Sequence, residues 1–562
     1  MKRISQKATS KPATEFPWWP VAGAAAAFVL LWIVYGPALN GPFVFDDRFQ
    51  PFLRPEISTQ PFLGWISVNR PLLMLTFWFN YTAGGTDPFG YHVVNVLLHF
   101  GASIAVGLCA AKILLLAGTN RTKSVGLGLF SGALFLLHPL QTESVSYVVS
   151  RSETLSVMLF FTAFALFLYR PEGPVRWMRA IVIALIFGAA LSTKEHTLTL
   201  PLLFVLTDFY FNPRGIRENL RLYSVIAVIG AVGAVGVTAV LKSSNSAGLS
   251  LENLSPASYF FTQGRMIWNY VRFFFLPVGQ NLDPDISVSQ SLMEHGALFG
   301  WLALAAAVSV AWVYRKSWPV ASYGFLVFLL LLGPTSSLIP ILDVFAEHRL
   351  YLPFLGLTLV ALDVLRRMNV SQATWVSLAI LAVCAVLTFQ RNQLWGDPIL
   401  LWSDAVSKSP HKARPNFQLA HAYFEKNQCA KAIPYFEAAG ETDKKNARLL
   451  VDWAMTYECL GRYEEGLAKL QQASALAPSA STTASMAIFY GALQRWPDVL
   501  RVLAEAEKQD PGYAYIYAYR GDYYEVQGDY RAAAAEYQHA IAAAPWMQKA
   551  KDGYARVSQL VR

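Results

Sequence analysis

The chain of 562 residues is 54% hydrophobic and only 15% charged, with a mean hydropathy of +0.34. A soluble protein of this length carries about 25% charged residues, so the composition excludes an ordinary soluble globular protein and indicates a membrane protein. The net charge of +9 does not predict a nucleic-acid partner, because many basic residues fall in short turns between apolar runs, where they set membrane topology.

The chain begins with a basic segment and a long apolar run. Residues 1–17 contain four Lys or Arg side chains, and run 18–39 is long enough to cross a bilayer. No small-residue cleavage site follows this run. We therefore expect a cytoplasmic tail over 1–17 and a retained first span.

Ten further apolar runs follow, so the sequence predicts about eleven transmembrane helices in a domain over residues 18–389. The runs lie at 18–39, 92–117, 124–139, 154–169, 179–193, 197–211, 222–241, 297–314, 319–339, 350–366 and 371–389.

The loops between these runs alternate between two chemical types. One set is rich in Lys and Arg, and the positive-inside rule places it in the cytoplasm. The other set holds acids, histidines and isolated basic residues beside Pro, Gly and aromatics, and we call it the outer loops. Eleven spans starting inside end outside, so everything after residue 390 is also expected on the outer face. The basic set contains Arg121, Lys123, Arg170, Arg176, Arg179, Arg214, Arg217, Arg221, Arg315, Lys316, Arg366 and Arg367.

The aromatic stretch 259–276 is left out of this count. As a transmembrane helix it would carry Arg265, Asn269 and Arg272 through the membrane, and these three residues share one helical face. We interpret the stretch as an interfacial amphipathic helix on the outer surface. The alternative is a twelfth span with its arginines facing the protein interior.

After Gln390 the apolar runs stop and a period of 33 to 34 residues appears, the length of a tetratricopeptide repeat (TPR). Residues 390–412 are predicted as a linker with a half repeat, and 413–562 as about four repeats with a capping helix. The predicted fold is therefore all-α, a polytopic membrane domain followed by an α-solenoid. The recurring small and aromatic positions are Ala420, Ala454, Ala487 and Gly521, followed by Tyr423, Tyr457, Tyr490 and Tyr524.

Four cysteines are too few for a disulfide framework. Cys109 and Cys384 lie within apolar runs. Cys429 and Cys459 lie in the repeats, where export to an oxidising compartment would permit a disulfide. Two buried thiols are the favoured interpretation.

Two adjacent carboxylates, Asp46 and Asp47, follow the first span. Holding carboxylates close to hydrocarbon costs free energy, so such residues commonly have a function. Here they could serve as a general base or hold a divalent metal. An ordinary solvated acidic loop would contain the same dipeptide. Further charged clusters on the same face favour a functional site, and a short helix there would place Glu143, Tyr147 and Arg151 on one side.

These clusters suit a negatively charged head group and a hydroxyl acceptor, because Arg and Lys bind phosphate, Arg through a planar fork. The residues expected to bind the phosphate or sugar of the donor are Arg70, His138, Glu143, Arg151, Glu153, Lys194, Glu195, Arg265, Arg272, Glu347, His348 and Arg349.

Several outer segments together resemble the transmembrane and tetratricopeptide-repeat family of O-mannosyltransferases, and more broadly the polyprenyl-phosphate-sugar glycosyltransferases of the GT-C fold. The resemblance runs from residue 40 to the end of the chain. The segments that carry it are Phe43–Asp47, Asn69–Leu72, Gly90–His99, His138–Glu143, Ser150–Glu153, Ser192–Glu195 and Glu347–Pro353.

The resemblance implies an inverting transferase that moves one mannose-like hexose from a polyprenyl-phosphate donor to a Ser or Thr hydroxyl of a protein. It implies Asp46 as the base and Asp47 as the residue that orients it, although the two could exchange roles. Ser150 and Ser152 stand where the family often reads Gly and Ala. The compact loops favour a bacterial inner-membrane protein with periplasmic repeats; a eukaryotic protein would place the repeats in the ER lumen.

Three alternatives remain open from the sequence. A non-enzymatic membrane-anchored TPR scaffold for envelope assembly would need only one span. A lipid-linked sugar transporter would place its charges at mid-membrane, near discontinuous helices. A transferase acting on a glycan or lipid would keep the chemistry with another acceptor. Apart from the lipid-linked sugar itself, the sequence predicts no certain cofactor.

Overall fold

The computed structural model of the protein describes residues 18–66, 70–243, 246–249, 251 and 254–561. The predicted tail 1–17 and Asn69 lie outside these residues. Over the described ranges the fold is all-α, with one isolated β-bridge between Ala247 and Ile341. The predicted fold class is confirmed.

Each of the eleven apolar runs contains a helix. These helices are Trp19–Tyr35, Pro88–Leu116, Arg121–Leu137, Arg151–Leu168, Trp177–Leu191, Leu200–Phe211, Leu220–Ser243, Ala297–Val313, Pro319–Leu332, Phe354–Leu365 and Val370–Trp395.

Fewer helices than eleven are long enough to cross a bilayer on their own. Among the described residues six helices pass by length and composition, and the pair Arg121–Leu137 and Pro139–Ser146, bent by 51°, makes a seventh. Others are apolar but short; Leu200–Phe211, for example, has 12 residues. The protein is therefore a multi-pass membrane protein. The predicted count of eleven exceeds what helix length alone supports.

Two further helices lie in the membrane domain. Pro71–Gly84 was not expected; it has 14 apolar-rich residues and begins at a proline, which suits the first turn of a helix. Pro256–Phe275 matches the predicted amphipathic helix and buries one face, including Tyr259 and Met266. It is not among the helices apolar enough to span a membrane. Its depth in the bilayer remains a prediction.

Short helices complete the membrane domain. The α-helical ones are Pro55–Ser58, Phe62–Ile66, Thr142–Ser146 and Gly215–Glu218. The 3-10 helices are Gly36–Ala38, Phe45–Phe49, Pro51–Leu53, Pro139–Gln141, Val148–Ser150, Glu195–Thr199, Glu294–Gly296, Gly333–Thr335 and Glu347–Leu350.

Small residues bring the membrane helices together. A Cβ on Gly128 would lie 2.8 Å from the carbonyl oxygen of Gly107, and one on Gly356 would lie 2.6 Å from that of Gly324. Backbones this close leave no room for a side chain, as is common where helices pack in membranes.

The C-terminal part forms four helical hairpins, preceded by one helix and followed by another, as the repeats predict. The helices are Pro398–Lys408, Ala413–Glu425, Cys429–Thr442, Ala447–Cys459, Tyr463–Leu476, Ala480–Ala492, Trp496–Gln509, Tyr515–Val526, Tyr530–Ala543 and Gln548–Ser558.

A disulfide joins Cys429 to Cys459, whose Cα atoms are 6.4 Å apart. The favoured interpretation of two thiols is therefore wrong. Cys429 begins one helix and Cys459 ends the next, and antiparallel packing brings these two ends together.

The basic loops gather at one end of the membrane domain. The Lys123 ammonium donates to the Met368 carbonyl at 2.7 Å, and Arg367 donates to the Ser317 carbonyl. The repeats dock against the outer loops instead, where Arg48 pairs with Glu425 at 2.8 Å. The two kinds of loop thus occupy separate layers, and their assignment to cytoplasm and exterior remains a prediction.

Candidate active site

The first outer loop forms a short 3-10 turn, Phe45–Phe49, in which the two predicted catalytic carboxylates have different surroundings. Asp46 is exposed, whereas Asp47 is only 1% exposed. Asp47 accepts hydrogen bonds from the backbone N–H of Val44 at 3.0 Å and of Val149 at 2.7 Å. Burial nevertheless raises the pKa of Asp47 to about 7. Asp47 therefore fixes the loop, and Asp46 is the carboxylate that a substrate can reach.

Asp46 is held in place through its backbone. Its N–H donates to the hydroxyl of Tyr147 at 2.8 Å. The surrounding protein removes part of the hydration of the carboxyl and raises its pKa, while Arg414 and Tyr147 act in the opposite direction. A carboxylate with a raised pKa is a better general base near neutral pH than a fully hydrated one.

The predicted shared face of Glu143, Tyr147 and Arg151 is wrong. The helix Thr142–Ser146 ends before Tyr147, which adopts an extended conformation with φ −87° and ψ 117°. The three side chains consequently serve three different parts of the site.

Arg151 is fully buried and bound by neutral acceptors. Its guanidinium donates to Asn95 Oδ1 at 2.7 Å, to Asn80 Oδ1 at 2.6 Å and to the Tyr91 carbonyl at 2.9 Å. Its Cζ lies 4.5 Å from the centroid of the Phe77 ring. Each guanidinium nitrogen thus has a protein acceptor, and Arg151 connects the neighbouring helices and has a structural role.

Asn95 is a site residue whose importance the sequence did not reveal. Its amide nitrogen donates to the carbonyls of Val145, Tyr147 and Val148 at 3.2 to 3.3 Å, while its oxygen accepts from Arg151. Asn95 therefore shapes the turn that carries Tyr147. Its place in the recognised segment Gly90–His99 was the only signal available.

Lys194 and Glu153 form a buried ion pair. The Nε2 atom of His196 lies 3.6 Å from the other oxygen of Glu153. Burial lowers the pKa of His196 to about 4, so its imidazole is neutral at pH 7. Lys194 is the only one of these three residues that is more than a tenth exposed in its side chain.

Arg70 lies beside this pair and makes a forked contact with Glu195 at 3.0 to 3.2 Å. Burial raises the pKa of the Glu195 carboxyl, but Arg70, a backbone hydrogen bond and Lys194 together hold the pKa below its usual value. Both side chains stay about one-third exposed, so the pair is open to a ligand.

His348 pairs with Glu143. Its Nδ1 lies 2.6 Å from one carboxylate oxygen, and its backbone N–H donates to the other at 3.1 Å. His348 remains 29% exposed. Its imidazole also lies within electrostatic range of Glu153, so the Lys194 and His348 clusters adjoin.

Glu347 is buried beside this cluster. It accepts from Gln280 Nε2 at 2.6 Å and from the backbone N–H of Asn281 at 2.7 Å. Burial raises the pKa of Glu347, opposed by Arg391 and reinforced by the neighbouring Glu143. Glu347 thus ties loop 276–296 to the site.

The side chains of His138 and Arg349 form hydrogen bonds with neighbouring segments of the protein. The Nε2 of His138 lies 3.1 Å from the Phe274 carbonyl, and its Nδ1 accepts weakly from the Leu140 N–H. Arg349 donates to the Asp343 carbonyl and to the Tyr259 hydroxyl. Both side chains connect neighbouring segments.

The two arginines of the amphipathic helix have different surroundings. Arg265 donates to the Ser287 carbonyl, and its buried Nε has no partner. Arg272 is exposed and lies 4.1 Å from the centroid of Phe273. Arg272 and Lys408 line a small cavity of about 220 Å³.

The sequence permits a divalent metal at the two aspartates but does not require one. In the part of the chain that the structure describes, no three His, Cys, Asp or Glu side chains are grouped as metal ligands.

The curated relatives of the chain are named O-mannosyl-transferases. No protein-family model matches the chain. Protein O-mannosyl-transferase Tmtc1 of Drosophila melanogaster is 34% identical over 216 residues, which are 35% of this chain and 24% of that protein. Protein O-mannosyl-transferase TMTC3 of Homo sapiens is 23% identical over 457 residues, 73% of this chain and 48% of that protein. The matched part of the chain thus spans about half the length of human TMTC3. It spans about a quarter of the length of Drosophila Tmtc1.

Solved structures resemble the chain only weakly. A thermophilic TPR protein of Thermus thermophilus, TTC0263, covers 32% of this chain and 94% of its own at 16% identity, with a TM-score of 0.27. The MamA protein covers 26% and 80% at 16% identity, with a TM-score of 0.24. TM-scores this low do not establish a shared fold between these proteins and the chain.

Proposed function

We propose that the protein is a membrane glycosyltransferase of the GT-C type. It moves a single mannose-like hexose from a polyprenyl-phosphate donor to a Ser or Thr hydroxyl of a protein, with inversion at the sugar carbon. The observation that carries the proposal is the exposed carboxylate of Asp46, held by buried Asp47 and Tyr147 in the same layer of loops as Lys194 and His348. The names of the relatives support the reaction class.

The donor phosphate is held by the Lys, Arg and His side chains that remain accessible in the outer loops, each of which can donate hydrogen bonds to it. Lys194, Arg70 and His348 are partly exposed and lie in adjoining clusters. Cationic groups placed at the leaving phosphate stabilise its developing charge in the transition state. Arg272 on the amphipathic helix is a further contact for a lipid-linked phosphate.

Asp46 removes the proton from the acceptor hydroxyl. The hydroxyl oxygen then forms a bond to the anomeric carbon from the side opposite the phosphate, and the bond from that carbon to the phosphate oxygen breaks. One displacement of this kind inverts the configuration. Buried Asp47 keeps the loop rigid, which limits the reorganisation needed in the transition state.

The reaction takes place on the extracytoplasmic face in this proposal. The outer loops lack the cluster of basic residues that marks cytoplasmic loops. The Cys429–Cys459 disulfide supports an oxidising compartment for the repeats, which then bind the acceptor protein. A bacterial inner membrane with periplasmic repeats fits this arrangement.

Sugar transfer in purified membranes tests the proposal. Wild type is compared with Asp46→Asn, using polyprenyl-phosphate-linked hexoses and envelope proteins as substrates. Loss of a general base costs roughly 10²–10⁴-fold in rate, so we expect transfer to fall by about two orders of magnitude or more. Glu56→Gln is the matched control, because Glu56 is another exposed acid of the same loop.

Transfer by wild type and by Glu56→Gln but not by Asp46→Asn supports the proposal. Equal transfer by all three proteins removes Asp46 as the base. No transfer from any such donor favours a scaffold, while movement of the donor across the membrane without transfer favours a transporter.

A further inference from the structure

A cavity of about 730 Å³ opens between the first outer loop and the first two repeats. We call it the loop–repeat cleft. Ligand sites in proteins commonly range from about 300 to 1,000 Å³, so the cleft is large enough for a specific ligand. Its walls include Phe45, Phe49, Asp343, Arg414, Phe417 and Arg448.

The walls of the cleft are fixed to each other by ion pairs. Arg414 of the first repeat pairs with Asp343 at 2.7 Å and also with buried Asp283. Arg48 of the first outer loop pairs with Glu425 of the first repeat. These ion pairs hold the walls in place, so binding needs little reorganisation of them.

The cleft lies next to the proposed base. Phe45 precedes Asp46 in the chain, and the charges of Arg414 and Asp343 both act on the Asp46 carboxyl. A molecule seated in the cleft is therefore close to Asp46, and a hydroxyl on that molecule is in the right neighbourhood to lose its proton.

The polarity of the cleft is mixed. Arg448, which lies 4.7 Å from the Phe49 centroid, offers donors, and the exposed Asp285 offers acceptors. Gln418 and Asn446 also line it and offer both kinds of group. A phosphate or nucleic-acid site would be mainly cationic, whereas a polypeptide backbone presents N–H and C=O groups in turn.

We propose that the loop–repeat cleft binds an extended polypeptide segment of the acceptor protein and presents its hydroxyl side chains to Asp46. This inference deepens the proposed function and rests on it for the fate of the bound segment. Phe49 and Arg448 hold the segment at the cleft, and the Gln418 amide binds its backbone.

Peptide binding tests the proposal independently of catalysis. The full-length Asp46→Asn protein in lipid nanodiscs is titrated with a fluorescent unfolded 12-residue peptide containing Ser and Thr. Loss of one or two good contacts weakens binding by about tenfold, so Arg448→Ala and Gln418→Ala, which change two residues of the cleft wall, are each expected to raise the Kd to that extent. The matched control is Arg531→Ala, an exposed arginine in the last repeat.

Activity gives a second measurement. In the wild-type background, Arg448→Ala is expected to raise the KM for the peptide about tenfold while changing kcat by less than about threefold, as loss of ground-state binding predicts. If sugar is transferred but neither cleft variant changes the KM or the Kd of the peptide, this inference is overturned and the proposed function stands. If peptide binding depends on the cleft but no sugar is transferred, the inference about the cleft stands and the proposed function is contradicted.

An acceptor glycan is the other class of ligand to test. If a mannose-containing oligosaccharide binds in a manner sensitive to Arg448→Ala while the peptide does not, the polypeptide assignment is overturned. If only the peptide binding responds, the assignment stands.

Discussion

The Asp47 carboxylate joins the first outer loop to a segment 102 residues later, since its Oδ1 accepts the Val149 N–H at 2.7 Å. Its other oxygen accepts the Val44 N–H at 3.0 Å. The two neighbouring aspartates thus have different roles. The Asp47 carboxylate binds backbone N–H groups and stabilises the fold, whereas the Asp46 carboxylate is accessible to a substrate.

This division predicts different effects of two alanine substitutions. Asp47→Ala leaves two backbone N–H groups without acceptors, and each buried unsatisfied group costs about 1–3 kcal/mol, so the thermal unfolding midpoint in detergent is expected to fall clearly. Asp46→Ala removes an exposed side chain and should change stability by less than about 0.5 kcal/mol. Both variants lose sugar transfer. Equal destabilisation by the two substitutions would contradict the assignment of roles.

The pH dependence of stability gives a second prediction. Burial raises the pKa of Asp47 to about 7, compared with about 3.9 in an unfolded chain. The folded state therefore binds this proton more tightly, and stability decreases as the pH rises from about 4 to about 7. Burial of Glu347 acts in the same direction. Buried histidines such as His196, whose pKa is lowered to about 4, act in the opposite direction in both proteins, so we expect the thermal midpoint of wild type relative to that of Asp47→Asn to fall over this range.

Wild type and Asp47→Asn are measured in the same detergent from pH 4 to pH 8, with Asp46→Asn as the control for loss of an acid from the same loop. Parallel curves for wild type and Asp47→Asn would show that Asp47 does not take up a proton in the folded state.

The two ion pairs of the site differ in burial and should differ in energy. Lys194→Met leaves Glu153, which is 4% exposed in its side chain, as an uncompensated buried charge, and breaking such a pair costs about 3–5 kcal/mol. Arg70→Met breaks a pair that is about one-third exposed, and such pairs contribute about 0–1 kcal/mol. Urea or thermal unfolding of the two variants measures the contrast. Lys194→Arg keeps the charge and serves as the control. Similar losses for both Met variants would contradict the burial argument.

The outline of the fold was predictable because its signals are local. Apolar runs such as 92–117 and the spaced residues Ala420, Ala454 and Ala487 are visible without knowledge of any contact. The number of complete spans was not predictable, because runs such as 197–211 yield helices shorter than a bilayer is thick.

The site was predictable only as a set of segments. Its pairings join residues far apart in sequence: Glu143 with His348, Asp46 with Tyr147, and Arg414 with Asp283. Arg151 and Lys194 carry the same charge, so the sequence did not reveal which of them a ligand can reach. The protein fully buries Arg151 and leaves Lys194 partly accessible. Burial depends on packing that the sequence pattern does not specify.

The disulfide provides a direct chemical test. Cys429 and Cys459 are joined, whereas Cys109 and Cys384 are free and buried. Denaturation in a thiol-alkylating reagent should label two cysteines in the purified protein and four after reduction, as counted by mass spectrometry. Reduction should also lower the stability of the repeats by about 3 kcal/mol, as expected for a loop of this length. Labelling of all four cysteines without reduction, in protein isolated from an exporting cell, would contradict an oxidising compartment for the repeats.

Arg414 links the docking of the repeats to the chemistry of the site. The neighbouring protein removes part of the hydration of the Asp46 carboxyl and raises its pKa, while the positive charge of Arg414 lowers it. Arg414→Met removes the charge, so the pKa of Asp46 should rise further, and a base with a higher pKa is protonated up to a higher pH. The acid limb of the pH profile of sugar transfer is therefore expected to move to higher pH in this variant. Arg414→Lys keeps a positive charge and should move it less. An unchanged acid limb in Arg414→Met would mean either that Asp46 is not the base or that Arg414 does not act on it, and the rate of Asp46→Asn separates these two explanations.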